Sequence, residues 1–192
     1  MVDFAGYFKS YLDYLPLILI VVSLYWTRMV GGPWVPSAMR VVYRMLEMAE
    51  VGPDDVVYDL GCGDGRIVLA AARRYGARAV GIEIDPLRYL WCQFLVAIMG
   101  QRQRVQIVFG NFFHKDLSAA TVMVCYLMPD ALTKLEDKFR QELRAETRII
   151  SNRFTFPNFE LIQEEGEARL YQIPPDLELH QAIVKQLHPS NE

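Results

Sequence analysis

An apolar run, VVYDL at 56–60, passes directly into three glycines at alternate positions, Gly61, Gly63 and Gly65, and then into RIVLAAARRY at 66–75. This stretch limits the fold more than any other. The first run predicts a buried parallel strand, the glycines a tight turn, and the Ala/Val/Leu face of 66–75 a helix packed back on that strand.

The alternation continues along the chain. RAVGIEID at 78–85 predicts a second strand, after which Asp85 caps and Pro86 opens a helix running to about Gly100. RVQIVFGN (104–111), TVMVCYL (121–127) and TRIISNRF (147–154) predict three more strands, and Pro129 opens a helix with Leu132, Leu135, Phe139 and Leu143 on one stripe. Upstream, Ser37 is placed to cap a helix in which Val41, Val42, Met45, Leu46 and Ala49 share a face, ended by Gly52 and Pro53. Strands alternating with helices predict an α/β fold, a doubly wound and mostly parallel Rossmann-like sheet with ligands at the carboxyl ends of its strands. EARLYQI at 167–173 adds a strand, LELHQAIVKQL at 177–187 is open between strand and helix, PNFELIQEEGE at 157–167 reads as a surface turn and acidic loop, and KLEDKFRQELR at 134–144 as a solvated helix face.

A length of 192 residues holds one such domain with a short appendage. The net charge of −3, from 20 basic and 23 acidic side chains, gives no global reason to expect a nucleic-acid partner. Cys62, Cys92 and Cys125 form no Cys-x-x-Cys pair, and His114, His180 and His188 have no partners at metal-ligand spacing, so neither zinc nor a disulfide framework is expected.

The first residues differ in kind. YLPLILIVVSLYWT, from Tyr14 to Thr27, carries no charge, and Leu12 to Val30 becomes a near-complete membrane span if Asp13 and Arg28 reach the interfaces. Residues 1–34 are therefore expected to form a hydrophobic helix, a membrane anchor with its linker, and 35–192 the catalytic domain. Arg28, Arg40 and Arg44 follow the run whereas Asp3 and Asp13 outnumber Lys9 before it, which keeps the domain in the cytoplasm. The alternative is a helix docked on a soluble cytoplasmic domain.

The glycine turn discriminates among ligands. It lacks the Lys and Ser/Thr of a phosphate-cradling loop, and Gly61, Gly63 and Gly65 are not spaced as the dinucleotide fingerprint. Asp59 and Asp64 would repel a pyrophosphate and attract a cationic ligand such as S-adenosylmethionine, with its sulfonium and ammonium groups. Glu83, at the end of the second strand, is placed to accept from both ribose hydroxyls, although an NAD site would want the same acid. Asn111, after the third strand, carries an amide able to pair with an adenine edge, and Phe112 could pack on the ring.

These motifs bear a family resemblance. VVYDLGCGDGR resembles the first motif, and AVGIEID the acidic second motif, of class I seven-strand S-adenosylmethionine-dependent methyltransferases. The resemblance implies a cofactor-binding set of Asp59, Gly61, Cys62, Gly63, Gly65, Glu83, Ile84, Asn111, Phe112 and Tyr126. Tyr126, at the end of the fourth strand, faces the methyl group in such folds and is the catalytic candidate. WVPSAMRVVYRML, CYLMPDALTKLEDKFRQEL and TRIISNRFTFPNF are similar to a protein-lysine methyltransferase branch that includes archaeal and membrane-anchored mitochondrial enzymes. That similarity implies a lysine side chain of a membrane-associated protein as acceptor. The chain departs from the branch at Val35-Pro36-Ser37-Ala38, which lacks a second proline, and at Ser151-Asn152, where many relatives have Ser-His or Ser-Tyr. Other functions compatible with the sequence are methylation of a lipid or other small molecule, and non-catalytic cofactor binding.

Overall fold

The computed structural model describes residues 35–175 and, ahead of them, positions 13–15, 17, 18 and 21, which are helical. Seven strands, β1 (Val56–Leu60), β2 (Arg78–Glu83), β3 (Val105–Phe109), β4 (Val122–Cys125), β5 (Arg148–Asn152), β6 (Gln163–Glu165) and β7 (Ala168–Gln172), form one sheet in the order β3-β2-β1-β4-β5-β7-β6. Strands β1 to β5 run parallel, and β7 runs antiparallel to both β5 and β6. The chain steps outward from β1 to β3 and then returns to place β4 on the other side of β1. That reversal opens a crevice at the carboxyl ends of β1 and β4, where open α/β sheets bind ligands.

Helices α1 (Met39–Met48), α2 (Arg66–Tyr75), α3 (Pro86–Ile98) and α4 (Pro129–Glu142) flank the sheet, with a short 3₁₀ turn at Phe112–His114. One buried cluster joins Val42 and Met45 of α1, Val68 and Ala71 of α2, and Cys92 and Val96 of α3 to Val57 and Ala79 of the sheet. A second joins Leu132, Leu135 and Phe139 of α4 to Leu60, Met123, Ile149 and Tyr171. Successive strand residues point to opposite faces, so both faces of the sheet are covered and its apolar runs are explained. The α4 stripe expected from spacing is fully buried at Leu132, Leu135 and Phe139. Each such side chain contributes about 1.5–3 kcal/mol by leaving water.

Below the crevice, at the opposite ends of β1, β4 and β5, Asp55 gathers the frame. Its carboxylate pairs with Arg148 and accepts from Thr121 Oγ1 at 2.6 Å and from the Gly52 amide at 2.8 Å. Arg148 also donates to the Ala49 carbonyl at 2.5 Å, which ties the end of α1 to the sheet.

Four sequence expectations are corrected. Ser37 does not cap α1: Ala38 holds the N-cap position without a side-chain bond, while the Ser37 hydroxyl lies 3.3 Å from Asn152 Nδ2. Helix α1 ends at Met48, before Gly52 and Pro53, because Glu50 turns to φ 47°. The 157–167 segment is not all loop, since Gln163–Glu165 pairs with β7 as the outer sheet edge, a strand too short and too acidic for a periodicity signal. Nor is 134–144 uniformly solvated: Glu136 is 3% exposed and accepts from the Asn158 amide N–H at 2.8 Å and from its Nδ2 at 2.7 Å.

The expected span from Leu12 to Val30 and the open 177–187 segment lie largely or wholly outside the described residues. Among the described residues no helix is long and apolar enough to cross a membrane.

Candidate functional site

Strand β1 delivers the chain to the crevice at Asp59, and the turn that follows is left-handed at Gly61 (φ 79°), Gly63 (φ 58°) and Gly65 (φ 77°). A side chain at such angles is strained. Gly65 has a second reason to be glycine: an added Cβ would lie 2.2 Å from the Cys92 sulfur, so the turn and α3 pack together only because that atom is missing. Cys62 points down into the core under α3, 5% exposed and in contact with the Cys92 thiol. That contact, then burial, pushes the Cys62 thiol well up. Its side chain therefore belongs to the packing, and only its backbone borders the crevice.

The turn's donors are already used. The amides of Gly61 and Cys62 donate to the Ile82 carbonyl at 2.9 and 3.0 Å, Gly65 donates to Cys62 O at 2.8 Å, and Gly63 donates to Glu83 Oε2 at 2.8 Å. A phosphate requires free N–H groups, so this turn does not suit one. Acceptors, in contrast, are in surplus. Asp59 is 3% exposed, and its Oδ2 has no hydrogen-bond partner among the described residues. Burial above all, then the charges of Glu83 and Asp64, push its pKa up to about 8. A ligand that brings donors and positive charge would relieve that cost.

Glu83 closes β2 at 4% exposure and accepts from two backbone amides, Gly63 at Oε2 and Asp85 at Oε1, each at 2.8 Å. It thereby fixes the glycine turn relative to the start of α3, and each oxygen keeps a second acceptor position. Asp85 caps α3 as the sequence suggested, accepting from the Arg88 amide at 2.9 Å. Asp64 lies at the rim in a two-pronged contact with Arg66, which outweighs burial and holds its carboxyl below the usual range. Arg66 also donates to Ser37 O at 2.5 Å, so this pair ties the glycine turn to the segment before α1.

Ile84 follows β2, half-buried. Asn111 caps the 3₁₀ turn with its side-chain oxygen, which accepts from the Phe113 amide at 3.0 Å. Half of the Asn111 amide is thus committed locally, and its NH₂ group is the end available for recognition. Phe112 is half-buried, its ring 4.7 Å from that of Phe113.

Tyr126 leaves β4 half-buried on the far side of the crevice. The exposed guanidinium of Arg153 stands beside it, its pKa raised by the Tyr126 oxygen. Arg153 was not anticipated from sequence. Its signal was its place, one residue past β5 and next to the end of β4 in the sheet, where its φ of 72° turns the chain. Asn152 beside it is buried, with Oδ1 unpartnered among the described residues. Asp59, Glu83, Ile84, Asn111, Phe112 and Tyr126 accordingly stand at the carboxyl ends of four adjacent strands. Of the remaining expected residues, Gly61 and Gly63 form the turn, while Gly65 and the Cys62 side chain serve its packing.

Known proteins of similar sequence and structure identify the family. Residues 59–163 match the model of the ANTKMT methyltransferase domain. A protein-lysine N-methyltransferase of Saccharolobus islandicus is 44% identical over 123 residues, 64% of this chain and 76% of that protein. An adenine nucleotide translocase lysine N-methyltransferase of Mus musculus is 33% identical over 140 residues, 70% of this chain but only 58% of the relative. A crystal structure of an RNA methyltransferase from Salinibacter ruber with S-adenosyl-L-homocysteine superposes with a TM-score of 0.70 at 40% identity, covering 73% of this chain and 94% of that one. The chain belongs to the ANTKMT methyltransferase family, in the protein-lysine branch of the class I S-adenosylmethionine-dependent methyltransferases.

Proposed function

We propose that this protein is a protein-lysine N-methyltransferase whose acceptor lysine belongs to a protein at a membrane surface, with residues 1–34 as hydrophobic anchor and 35–192 as catalytic domain. The observation that carries the cofactor half of this reading is the glycine turn, which has spent its donors and left Asp59 Oδ2 without a partner among the described residues. Such a site fits a ligand with an ammonium group and hydroxyl donors.

S-adenosylmethionine supplies an electrophilic sulfonium methyl when bound. Asp59 would hold the ammonium end, with the backbone of Gly61, Cys62, Gly63 and Gly65 lining its path. Glu83 would accept from the ribose hydroxyls on its two remaining acceptor positions. The free NH₂ of Asn111 would meet the adenine edge, with Phe112 and Ile84 against the ring faces. Methyl transfer to an amine needs alignment and exclusion of water, not a protein nucleophile. Tyr126, which would border both the cofactor and the acceptor, takes the orienting role: its hydroxyl oxygen would accept from the amine, with the Arg153 guanidinium beside it. The positive charge of Arg153 also disfavours an ammonium nearby, so the lysine is drawn toward the neutral form that can attack.

The test is to incubate the protein with methyl-labelled cofactor and native membranes, then separate protein, lipid and RNA. Label on a lysine of a membrane protein, mapped by mass spectrometry, is the expected result. Label in the organic phase alone overturns it. The likeness to a protein described as an RNA methyltransferase favours a second reading, which predicts label in the RNA fraction. The loop that would border the acceptor, Tyr126-Leu127-Met128-Pro129-Asp130, carries no basic side chain and gives that reading little support.

A further inference from the structure

Helix α3 presents Leu87, Leu90, Trp91, Phe94 and Ile98 outward at the spacing of one helical face, with exposures from 37% to 62%. A helix packed on a sheet ordinarily turns polar side chains to water. Here the inner side, with Cys92 and Val96 buried, and the outer side are both apolar. The rings of Trp91 and Phe94 lie 5.7 Å apart on this face. A contiguous apolar surface of this size on a domain marks an interaction site.

The charge pattern identifies the occupant. Between Pro86 and Lys115 the sequence has no Asp or Glu, whereas Arg88, Arg102, Arg104 and Lys115 are basic; the rest of the chain has 16 basic and 23 acidic residues. Arg88 is paired with Asp85 at 3.6 Å and Arg104 donates to the Gly76 carbonyl at 2.5 Å, while the side chains of Arg102 and Arg104 are exposed just past the end of α3. An apolar helix face with aromatic rings and arginines at its margin is the chemistry of a helix lying in the headgroup layer of an anionic bilayer. An RNA surface would instead need basic groups across the contact face, where α3 has hydrocarbon. Met39 and Tyr43 of α1 line one groove with Leu95 and Met99 of α3, so the chain enters the domain beside this face. The described N-terminal positions Tyr14, Leu15, Leu17, Ile18 and Val21 are themselves exposed, rather than seated on α3.

We propose that the outer face of α3 seats in the surface of an anionic phospholipid bilayer and fixes the tilt of the domain, turning the carboxyl ends of the strands toward lysines near the headgroups. This rests on the membrane-surface reading of the acceptor, and the seating is read independently of methylation.

Trp91 reports on it directly. In the full chain with Trp26→Phe and Trp34→Phe, Trp91 is the remaining tryptophan. With phosphatidylcholine vesicles containing phosphatidylglycerol and brominated acyl chains, its emission should shift to the blue and fall about twofold. Leu90→Ser combined with Phe94→Ser should lower vesicle partitioning about tenfold, with affinity for S-adenosyl-L-homocysteine unchanged. Vesicle-bound protein whose Trp91 is unquenched overturns the seating and leaves the N-terminal anchor standing; no vesicle binding overturns both. Shielding of Trp91 from a soluble quencher in the lipid-free monomer would assign the face to the protein's own N-terminal segment. Shielding that grows with protein concentration would assign it to a second copy, and shielding by RNA but not vesicles to nucleic acid; each refutes the proposal. Quenching without any methylated lysine would refute the acceptor reading alone.

Discussion

With Oδ2 unpartnered among the described residues, Asp59 in the proposed ammonium-binding role would make cofactor affinity a function of pH. Buried and flanked by Glu83 and Asp64, Asp59 has its pKa pushed up from 3.8 to about 8. Between those values the folded protein holds a proton that the unfolded chain has released. Stability of the cofactor-free fold therefore falls by about 1.4 kcal/mol per pH unit across that window and levels off above it. An ammonium ligand binds the ionised carboxylate, so below pH 8 binding must expel the proton. The ionised fraction is about 0.01 at pH 6 and about 0.09 at pH 7, which gives about a ninefold gain in affinity over that interval and a plateau past pH 8. Titration calorimetry with S-adenosyl-L-homocysteine, in buffers of different ionisation heat, should show nearly one proton released per ligand at pH 6. Asp59→Asn should abolish both the release and the slope, weaken binding, and raise the thermal midpoint of the free protein at pH 7. A wild-type affinity that is flat from pH 6 to 8 without proton release, or a slope that survives in Asp59→Asn, refutes the reasoning.

Gly65→Ala places a Cβ 2.2 Å from the Cys92 sulfur, whereas the next nearest atom is 3.6 Å away, so Cys92→Ala should restore all but the cost of a left-handed alanine, about 1 kcal/mol. Additive denaturation midpoints for the two substitutions would contradict that packing. Glu83→Ala removes the acceptor of two backbone amides and, in the proposed site, of the cofactor hydroxyls, and should weaken S-adenosyl-L-homocysteine binding by about 1–3 kcal/mol; unchanged calorimetric affinity would take Glu83 out of the site. Tyr126→Phe and Arg153→Ala should each lower kcat about tenfold or more with little change in S-adenosyl-L-homocysteine affinity, and the double variant should do no worse than the poorer single one. Multiplying losses would show that the two residues act separately.

The parallel half of the sheet was legible because its signals are local. An apolar run into three glycines marks β1 and its turn, and Asp85-Pro86 marks the start of α3. Glu83 and Asn111 could be placed by counting strands, because each closes or follows a strand whose end the alternation of elements already gave. What local pattern could not carry was pairing across distance. Ser37 reads as a cap, yet its hydroxyl meets Asn152 and its carbonyl meets Arg66, contacts that exist only once α1, α2 and β5 are assembled. Arg153 was hidden for the same reason: its partner Tyr126 lies on a different strand, and nothing in RIISNRF announces a contact with CYLMP. Gly65 was read for its ligand, although the sulfur of Cys92, from the next helix, also requires it.

The two sides of the crevice differ in how fully they are determined, and this bears on specificity. On the β1–β3 side the glycine amides, Glu83 and the Asn111 oxygen are bonded within the protein and Asp59 Oδ2 is left for the cofactor, so that wall keeps its shape whichever acceptor arrives. On the β4–β5 side, the oxygen of Asn152 has no partner among the described residues and Arg153 stands in solvent. A preorganised wall suits a cofactor that is the same in every turnover, because no ordering cost recurs on binding. A wall with unspent polar groups discriminates by whether an incoming molecule satisfies them. If so, exchange of residues at 126, 152 and 153 should change which acceptors are methylated while leaving cofactor affinity in place. Exchange at Asp59 or Glu83 should depress methylation of every acceptor alike.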